Sequence, residues 1–502
     1  VRVLLCAAQE LRASARGGRA GLALSLLFSP EMEARFTALV GGSLILGCMD
    51  HGAGHGGHAN LPPAPPLIRP EPRPDLPVPV GAEDQSPEPG VVEVSLTAAP
   101  SAHAYLAGKP AHVWAFNGSI PGPTIEARTG DQVVVHFKND LPEPTTIHWH
   151  GLRVPNDMDG AGRLLQPIPP GGSFDYRFVV PDAGTFWYHP HVRSNIQVEK
   201  GLYGAIVVRD PAEPDLDVAV ERVLVLDDVL VDPANGLVDD WLDVRGMMMG
   251  REGNLLLVNG QPSNGALTVV PGQRVRLRVV NAATARYFKL RLDVGSLIQI
   301  GSDGGLLSAA RQLDTVLLVP GERLDLVIEA PGAATLRSLP YERATGAGAG
   351  EEIDLVRFNP ADMPSETPAP LPASLRPIDV LPVPAPRQTL RLGERMVHHA
   401  WQFTINDQVF PNVPPVDATA GTRQIWRVEN GSEMDHPFHL HGFFFQRQGV
   451  PEWKDTLNIP ALAKVNIVID FAARNGGTGD WMYHCHILEH ADRGMMGEVR
   501  IR

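Results

Sequence analysis

Histidines in the 502-residue chain fall into a repeated short pattern: His148 and His150 in IHWHG, His189 and His191 in WYHPH, His439 and His441 in HPFHLHG, His484 and His486 in YHCHILEH. Residues i and i+2 of a strand point to the same face, so each H-x-H sets two imidazoles side by side. Imidazoles gathered in this number suit copper, iron or zinc, whereas calcium and magnesium take oxygen ligands. A lone pair of this kind is more often structural. Four pairs that all fall toward the two ends of the body, with none in its middle, are hard to explain as core packing. The simplest arrangement places a histidine cluster between the first and last parts, with the middle part as a spacer.

A second constellation lies in CHILEHADRGM, from Cys485 to Met495. Strand alternation turns Cys485 away from its neighbours His484 and His486. Together with His436, His490 and Met495 it offers one thiolate, two imidazoles and a thioether, the donor set of a blue-copper electron-transfer site. The competing reading is a buried small hydrophobe at Cys485 and a core side chain at Met495; the spacing to His490 favours ligation. Because His484 and His486 flank Cys485 covalently, an electron arriving at this site has a path of a few bonds into the cluster.

These side chains must be positioned by a unit written three times. Asn117 to Asn139, Asn259 to Asn281 and Asn406 to Asn430 each run from an Asn turn through a Pro- or Gly-rich loop into an alternating strand that ends in Asn. A second shared segment follows each, from Pro169, Val319 and Ile459. Two landmarks in the same order predict an all-β chain of three tandem Greek-key β-sandwich domains. The expected boundaries are 91–212, 213–358 and 388–502, with a Pro-rich linker over 359–387. Abundant glycine (50) and proline (47) fit many turns between short strands.

Composition excludes other classes. A net charge of -14 argues against nucleic-acid partners and anionic membrane surfaces, which attract basic patches. Three cysteines (Cys6, Cys48 and Cys485) cannot build a disulfide framework or a four-cysteine zinc site. Residues 1–47 read as a signal segment with an apolar stretch from Phe36, and 1–31 as an over-extended start before Met32. Its ending, Ile45-Leu46-Gly47-Cys48, resembles a bacterial lipobox, so lipid attachment at Cys48 is expected; an ordinary cleaved signal is the alternative. Residues 48–90 read as a His-rich and Pro-rich tether. His51, His55 and His58 are either a metal-capturing tract or solvated spacer, and the prolines an extended stalk. The expected location is extracytoplasmic, periplasmic or at the cell surface, the membrane being touched only through the lipid, and the chain a monomer.

In this order and spacing the four histidine motifs resemble those of the three-domain bacterial multicopper oxidases, the laccase and metallo-oxidase group built from cupredoxin domains. The resemblance covers about residues 90–502. It implies four copper ions: a type 1 ion on His436, Cys485, His490 and Met495, a type 2 ion on His148 and His439, and a type 3 pair on His150, His189, His191, His441, His484 and His486. It also implies proton delivery from Asp159, in the Asp159-Gly160 turn, with Asp159 and Cys485 as the catalytic residues. One departure stands out: the residue after the last type 1 histidine, often Glu in bacterial members, is Ala491, leaving Asp492 or a water chain to compensate.

The implied activity is single-electron oxidation of a reductant coupled to reduction of dioxygen to water. Phenols or aromatic amines, the laccase-like reading, need an open apolar depression near the type 1 histidines. A metallo-oxidase for Cu(I), Fe(II) or Mn(II) in metal tolerance is the alternative, with Met247-Met248-Met249 or Met434 as soft entry points, although consecutive methionines are more often core filler. A copper-sequestering surface protein is a third reading. His398 and His399 stand outside the motifs and read as structural or surface residues.

Overall fold

A computed structural model describes residues 61–161, 166–236, 243–329, 332–384, 387–398, 400–471 and 477–502. The signal segment with Cys6, Cys48, the tract of His51, His55 and His58, and His399 lie outside the described residues. The chain is all-β, as the alternating segments predict, with six sheets that pair into three cupredoxin-like sandwiches. Strands between Val91 and Arg209 form two four-stranded sheets, those between Val220 and Pro360 a seven- and a five-stranded sheet, and those between Arg387 and Ile501 two five-stranded sheets. Among the described residues no helix is long and apolar enough to cross a membrane.

The written repeat is a structural one. In every sandwich the first strand pairs in parallel with the strand of the repeated segment: Val91–Leu106 with Gln132–Asn139, Val220–Val229 with Arg274–Asn281, and Arg387–Val397 with Arg423–Asn430. Parallel neighbours cannot be joined by a tight hairpin, so the chain crosses to the opposite sheet between them. The paired asparagines explain how that crossing is held. Asn117, Asn259 and Asn406 sit at φ of 51°, 53° and 52°, the left-handed conformation that Asn tolerates in turns. Asn139, Asn281 and Asn430 are buried; their Nδ2 donates to the carbonyls of Ile168, Leu318 and Ile459, and their Oδ1 accepts from the main chain two residues on. Each satisfies both halves of a buried amide, which would otherwise cost about 1–3 kcal/mol.

Alternate residues of these strands fill three cores, around Val135, Trp149 and Phe186, around Leu277, Leu290 and Leu326, and around Trp426, Phe438 and Ile467. A further apolar cluster joins the sandwiches: Val113 and Trp187 of the first meet Val225 and Leu257 of the second and Leu488 of the third.

The Pro-rich stretch corrects the expectation of a stalk. From residue 61 onward it lies along the body: the amides of Ile68, Arg73 and Leu76 donate to the carbonyls of Asn254, Asn264 and Ala266, and the buried Leu76 side chain joins the middle core. Farther on, Ala82 and Thr124 share a main-chain pairing with the first sandwich. Extended chain leaves its amides and carbonyls unused, and sandwich edges offer partners; that pairing outweighs a free spacer.

Candidate metal centre

Two short antiparallel strand pairs carry the cluster. His148–His150 runs against Gly184–His189, with His148 opposite His189; His436–Leu440 runs against Gly479–Cys485, with His439 opposite His484. Alternation sorts the side chains as the sequence predicts. Trp149, between two histidines, enters the first core, and Cys485, between two others, enters the third. The imidazoles face the gap between those two sandwiches. Donor atoms of His191, His441 and His484 gather within 4.8 Å of one another, as do those of His148, His439 and His441 and of His148, His150 and His189. The rings of His150, His189 and His486 stand 4.9 to 5.8 Å apart.

Five of the eight rings are held by Nδ1 and leave Nε2 toward the cluster, whereas neither nitrogen of His486 has a hydrogen-bond partner. His148 Nδ1 donates to the Asp159 carbonyl (2.9 Å), His189 Nδ1 to that of Pro190 (2.9 Å), His484 Nδ1 to that of Cys485 (2.9 Å) and His439 Nδ1 to that of Asp455 (3.0 Å). His441 Nδ1 donates to Asp159 Oδ2 at 2.9 Å. The Nε2 atoms of His148, His189, His439 and His486 are buried without a hydrogen-bond partner. Buried polar atoms are normally paired, so a convergent set of idle imidazole nitrogens fits a bound cation. Burial, reinforced by neighbouring rings, holds His150, His189, His441, His484 and His486 well below the usual histidine pKa, and His191 falls to about 3. The rings are therefore neutral and their lone pairs free near pH 7.

The Asp159-Gly160 turn is fixed by sterics. Gly160 has φ of 74°, and a Cβ there would come within 1.7 Å of the Ile147 carbonyl oxygen, so only glycine lets Asp159 reach under His148 and His441.

The second centre assembles as expected. Cys485 Sγ lies 3.5 Å from His436 Nδ1 and 3.7 Å from His490 Nδ1, and the two nitrogens are 3.3 Å apart, all fully buried. His436 Nε2 is bonded to Ser432 Oγ (2.8 Å) and His490 Nε2 donates to the Met248 carbonyl (2.9 Å), so both rings present Nδ1. Phe403 stacks on His490 at 3.8 Å. Met495 is buried in the same apolar cluster, its carbonyl accepting from the Cys485 amide. Burial pushes the free thiol well up, so binding a metal must displace its proton.

The middle sandwich is not a spacer. Arg323, fully buried, forms a fork with Asp455 (2.7 and 2.5 Å) and bonds the carbonyls of Thr185, Gly321 and Asp303. Asp455 lies 3.3 Å from His150 Nε2 and carries His439 on its carbonyl, while Thr456 Oγ1 stands 3.1 Å from His439 Nδ1. Burial alone would raise the Asp455 pKa; Arg323 overrides it and holds the carboxylate ionised. A side chain at Gly321 would strike the His486 ring at 2.8 Å. Sequence reading missed Arg323 and Asp455. Their signal was present, since Arg323 sits in the repeated segment from Val319 and Asp455 just ahead of that from Ile459.

Other residues separate from the site. Met248, Met249 and Met434 are core side chains, Met247 is half-buried, and His398 is exposed. Asp492 is exposed and accepts from the Asn195 amide. Glu489, unremarked in the sequence, is fully buried with its carboxylate 3.9 Å from Arg251, and burial pushes it to about 7.

A sandwich protein with a thiolate centre wired to a histidine cluster is, as a class, a copper-dependent redox protein. Three multicopper oxidase family models match residues 98–213, 221–336 and 382–502. The multicopper oxidase MmcO of Mycobacterium tuberculosis is 32% identical, over 82% of this chain and 88% of its own, and the multicopper oxidase mco of Staphylococcus epidermidis is 30% identical, over 77% and 83%. Among solved structures, the multicopper oxidase of Campylobacter jejuni, described as a metallo-oxidase, superposes with a TM-score of 0.78 at 29% identity, covering 88% of this chain and all but 1% of that one. A laccase from Pediococcus acidilactici superposes with a TM-score of 0.74 at 30% identity, over 87% and 95%. The chain belongs to the multicopper oxidase family, and is an oxidoreductase that binds copper and uses dioxygen and a reductant.

Proposed function

We propose that this chain is a laccase-like oxidase that takes single electrons from an organic reductant at the Cys485 centre and reduces dioxygen to water at the histidine cluster. Four copper ions would be held: one by His436, Cys485, His490 and Met495, one by His148 and His439, and two by the remaining six histidines of the pairs. When bound, copper supplies the one-electron redox steps and the affinity for dioxygen. The observation that carries this reading is the set of buried imidazoles, those of His148, His189 and His439, whose Nδ1 is anchored and whose Nε2 is idle. Anchoring fixes tautomer and ring orientation before any metal arrives, and so raises affinity. Cys485 links the centres through its own backbone to His484 and His486. Asp159 keeps a proton on His441 Nδ1 and is the proposed source of protons for oxygen reduction.

Oxidation of a reduced metal ion is the second reading, favoured by the likeness to the Campylobacter jejuni metallo-oxidase. Purified chain loaded with copper should hold about four ions and consume oxygen only with a reductant. Four ions without oxygen uptake would mean a copper-sequestering protein instead. Turnover of a phenol but not of Cu(I), Fe(II) or Mn(II) separates the first two readings. The proposed location is extracytoplasmic, with a lipid on Cys48 and a monomeric body; release of Cys48→Ser chain from membranes is the test.

A further inference from the structure

Beside the Cys485 centre a cavity of about 350 Å³ opens between the middle sandwich, the turn at Gly348 and the Pro-rich strap. Resting on the oxidase reading, we propose that this cavity is the binding site of the reductant and that it selects carboxylated aromatics, the carboxylate being held in a fork by Arg343.

Three guanidiniums line the cavity, and two are spoken for. Arg286 holds Asp228 and the Gly253 carbonyl, and Arg245 holds the carbonyls of Pro62 and Ala347. Arg343 is only 4% exposed; its Nε donates to Glu252 (3.0 Å), but Nη1 and Nη2 are buried without a partner, and a carboxylate entering the cavity meets them as the side chain turns outward. A buried donor pair left idle is costly, and its geometric complement is an acceptor with two coplanar oxygens. Next to it stands an aromatic wall. Tyr287 and Tyr341 stack at 5.6 Å and 13°, with the Arg343 guanidinium carbon 5.8 Å from the centre of the Tyr287 ring. Flat rings beside a carboxylate fork describe a substituted benzoate or a longer aromatic acid. The two acids on the cavity wall are already paired, Glu252 with Arg343 and Glu351 with Arg69, so neither offers an unpaired carboxylate to a metal cation.

The cavity also reaches the centre by two short paths. Met249 follows Met248, whose carbonyl accepts from His490 Nε2, and the Tyr341 hydroxyl donates to Asp435 (2.6 Å), the neighbour of His436. Pro63 to Leu67 supply the opposite wall, so the strap completes the site. In turnover each of four phenols loses one electron and its phenolic proton, released to solvent, and leaves as a phenoxyl radical with the carboxylate unchanged. One dioxygen takes up the four electrons and four protons to give two waters.

The test uses the copper-loaded full chain, Arg343→Gln and Arg343→Lys. Calorimetry with trimethoxybenzoate, which has the carboxylate and no oxidisable hydroxyl, should show binding that weakens about ten- to a hundredfold in Arg343→Gln. Arg343→Lys should recover only part of it, because an ammonium is a point charge and not a fork. The ratio of kcat/KM for a dimethoxyphenol carrying a para carboxylate to that for the same phenol without it should fall by a similar factor, mainly through KM. If the variants do not fold, the unaltered chain still decides: trimethoxybenzoate should compete with the plain phenol and its neutral alcohol should not. Oxygen uptake with no carboxylate binding, or an unchanged selectivity ratio, overturns the site and leaves the oxidase reading standing. Carboxylate binding without oxygen uptake from either phenol supports the site and removes the oxidase reading.

Discussion

The two centres are built on opposite plans. The Cys485 centre draws its donors from one sandwich, all within a window from His436 to Met495, and borrows a single carbonyl from outside, that of Met248. The histidine cluster is divided between the first and third sandwiches and is backed by Arg323 of the second. A centre inside one core should survive disturbances of domain packing. A centre at a junction needs every domain in place, and here pays for that with a buried ion pair whose removal leaves an unpaired charge.

Variants should separate the two. The largest effect is expected from Cys485→Ser, which should abolish the visible thiolate-to-copper absorption and bring oxygen uptake to background while copper on the cluster is retained; a variant still coloured would refute the assignment. Arg323→Met strands Asp455 as a buried charge and should cost about 3–5 kcal/mol in denaturant unfolding. Copper should be lost from the cluster first, with the visible absorption kept; equal loss from both would mean the centres are not separable. Acid provides a third contrast. The cluster histidines have folded pKa values below the unfolded value of about 6.5, so the unfolded chain binds more protons below that pH. Their contribution to metal-free stability is complete above about pH 6.5 and is lost as pH falls, and denaturant midpoints taken from pH 7.5 down to 5 should decline progressively. The smallest effect is expected from Asn281→Ala in the middle sandwich. It should lower stability by about 1–3 kcal/mol and leave copper content and colour at both centres as they were.

The Cys485 centre was nearly complete in the sequence because its donors are close along the chain and alternation alone separates Cys485 from its neighbours. Five of the cluster's supports were hidden to different degrees. Asp159 was reached through family resemblance and not through geometry. Arg323, Asp455 and Thr456 look like ordinary strand-end residues until the sandwiches meet, and Gly321 matters only because His486 comes against it. The Pro-rich strap was misjudged for a related reason: composition reports an extended backbone, and says nothing about whether an edge lies alongside to bond it.

What the sequence determined by itself is whatever a strand enforces locally: paired imidazoles on one face, Cys485 on the other, and three copies of one Asn-bracketed unit. The tertiary structure decided which copies face each other, which ring nitrogens stay idle, and where Arg343 meets the strap. The physical reason is range. Alternation is a property of the backbone at one residue and its neighbours, whereas convergence depends on packing between segments separated by hundreds of residues, such as His150 and Thr456.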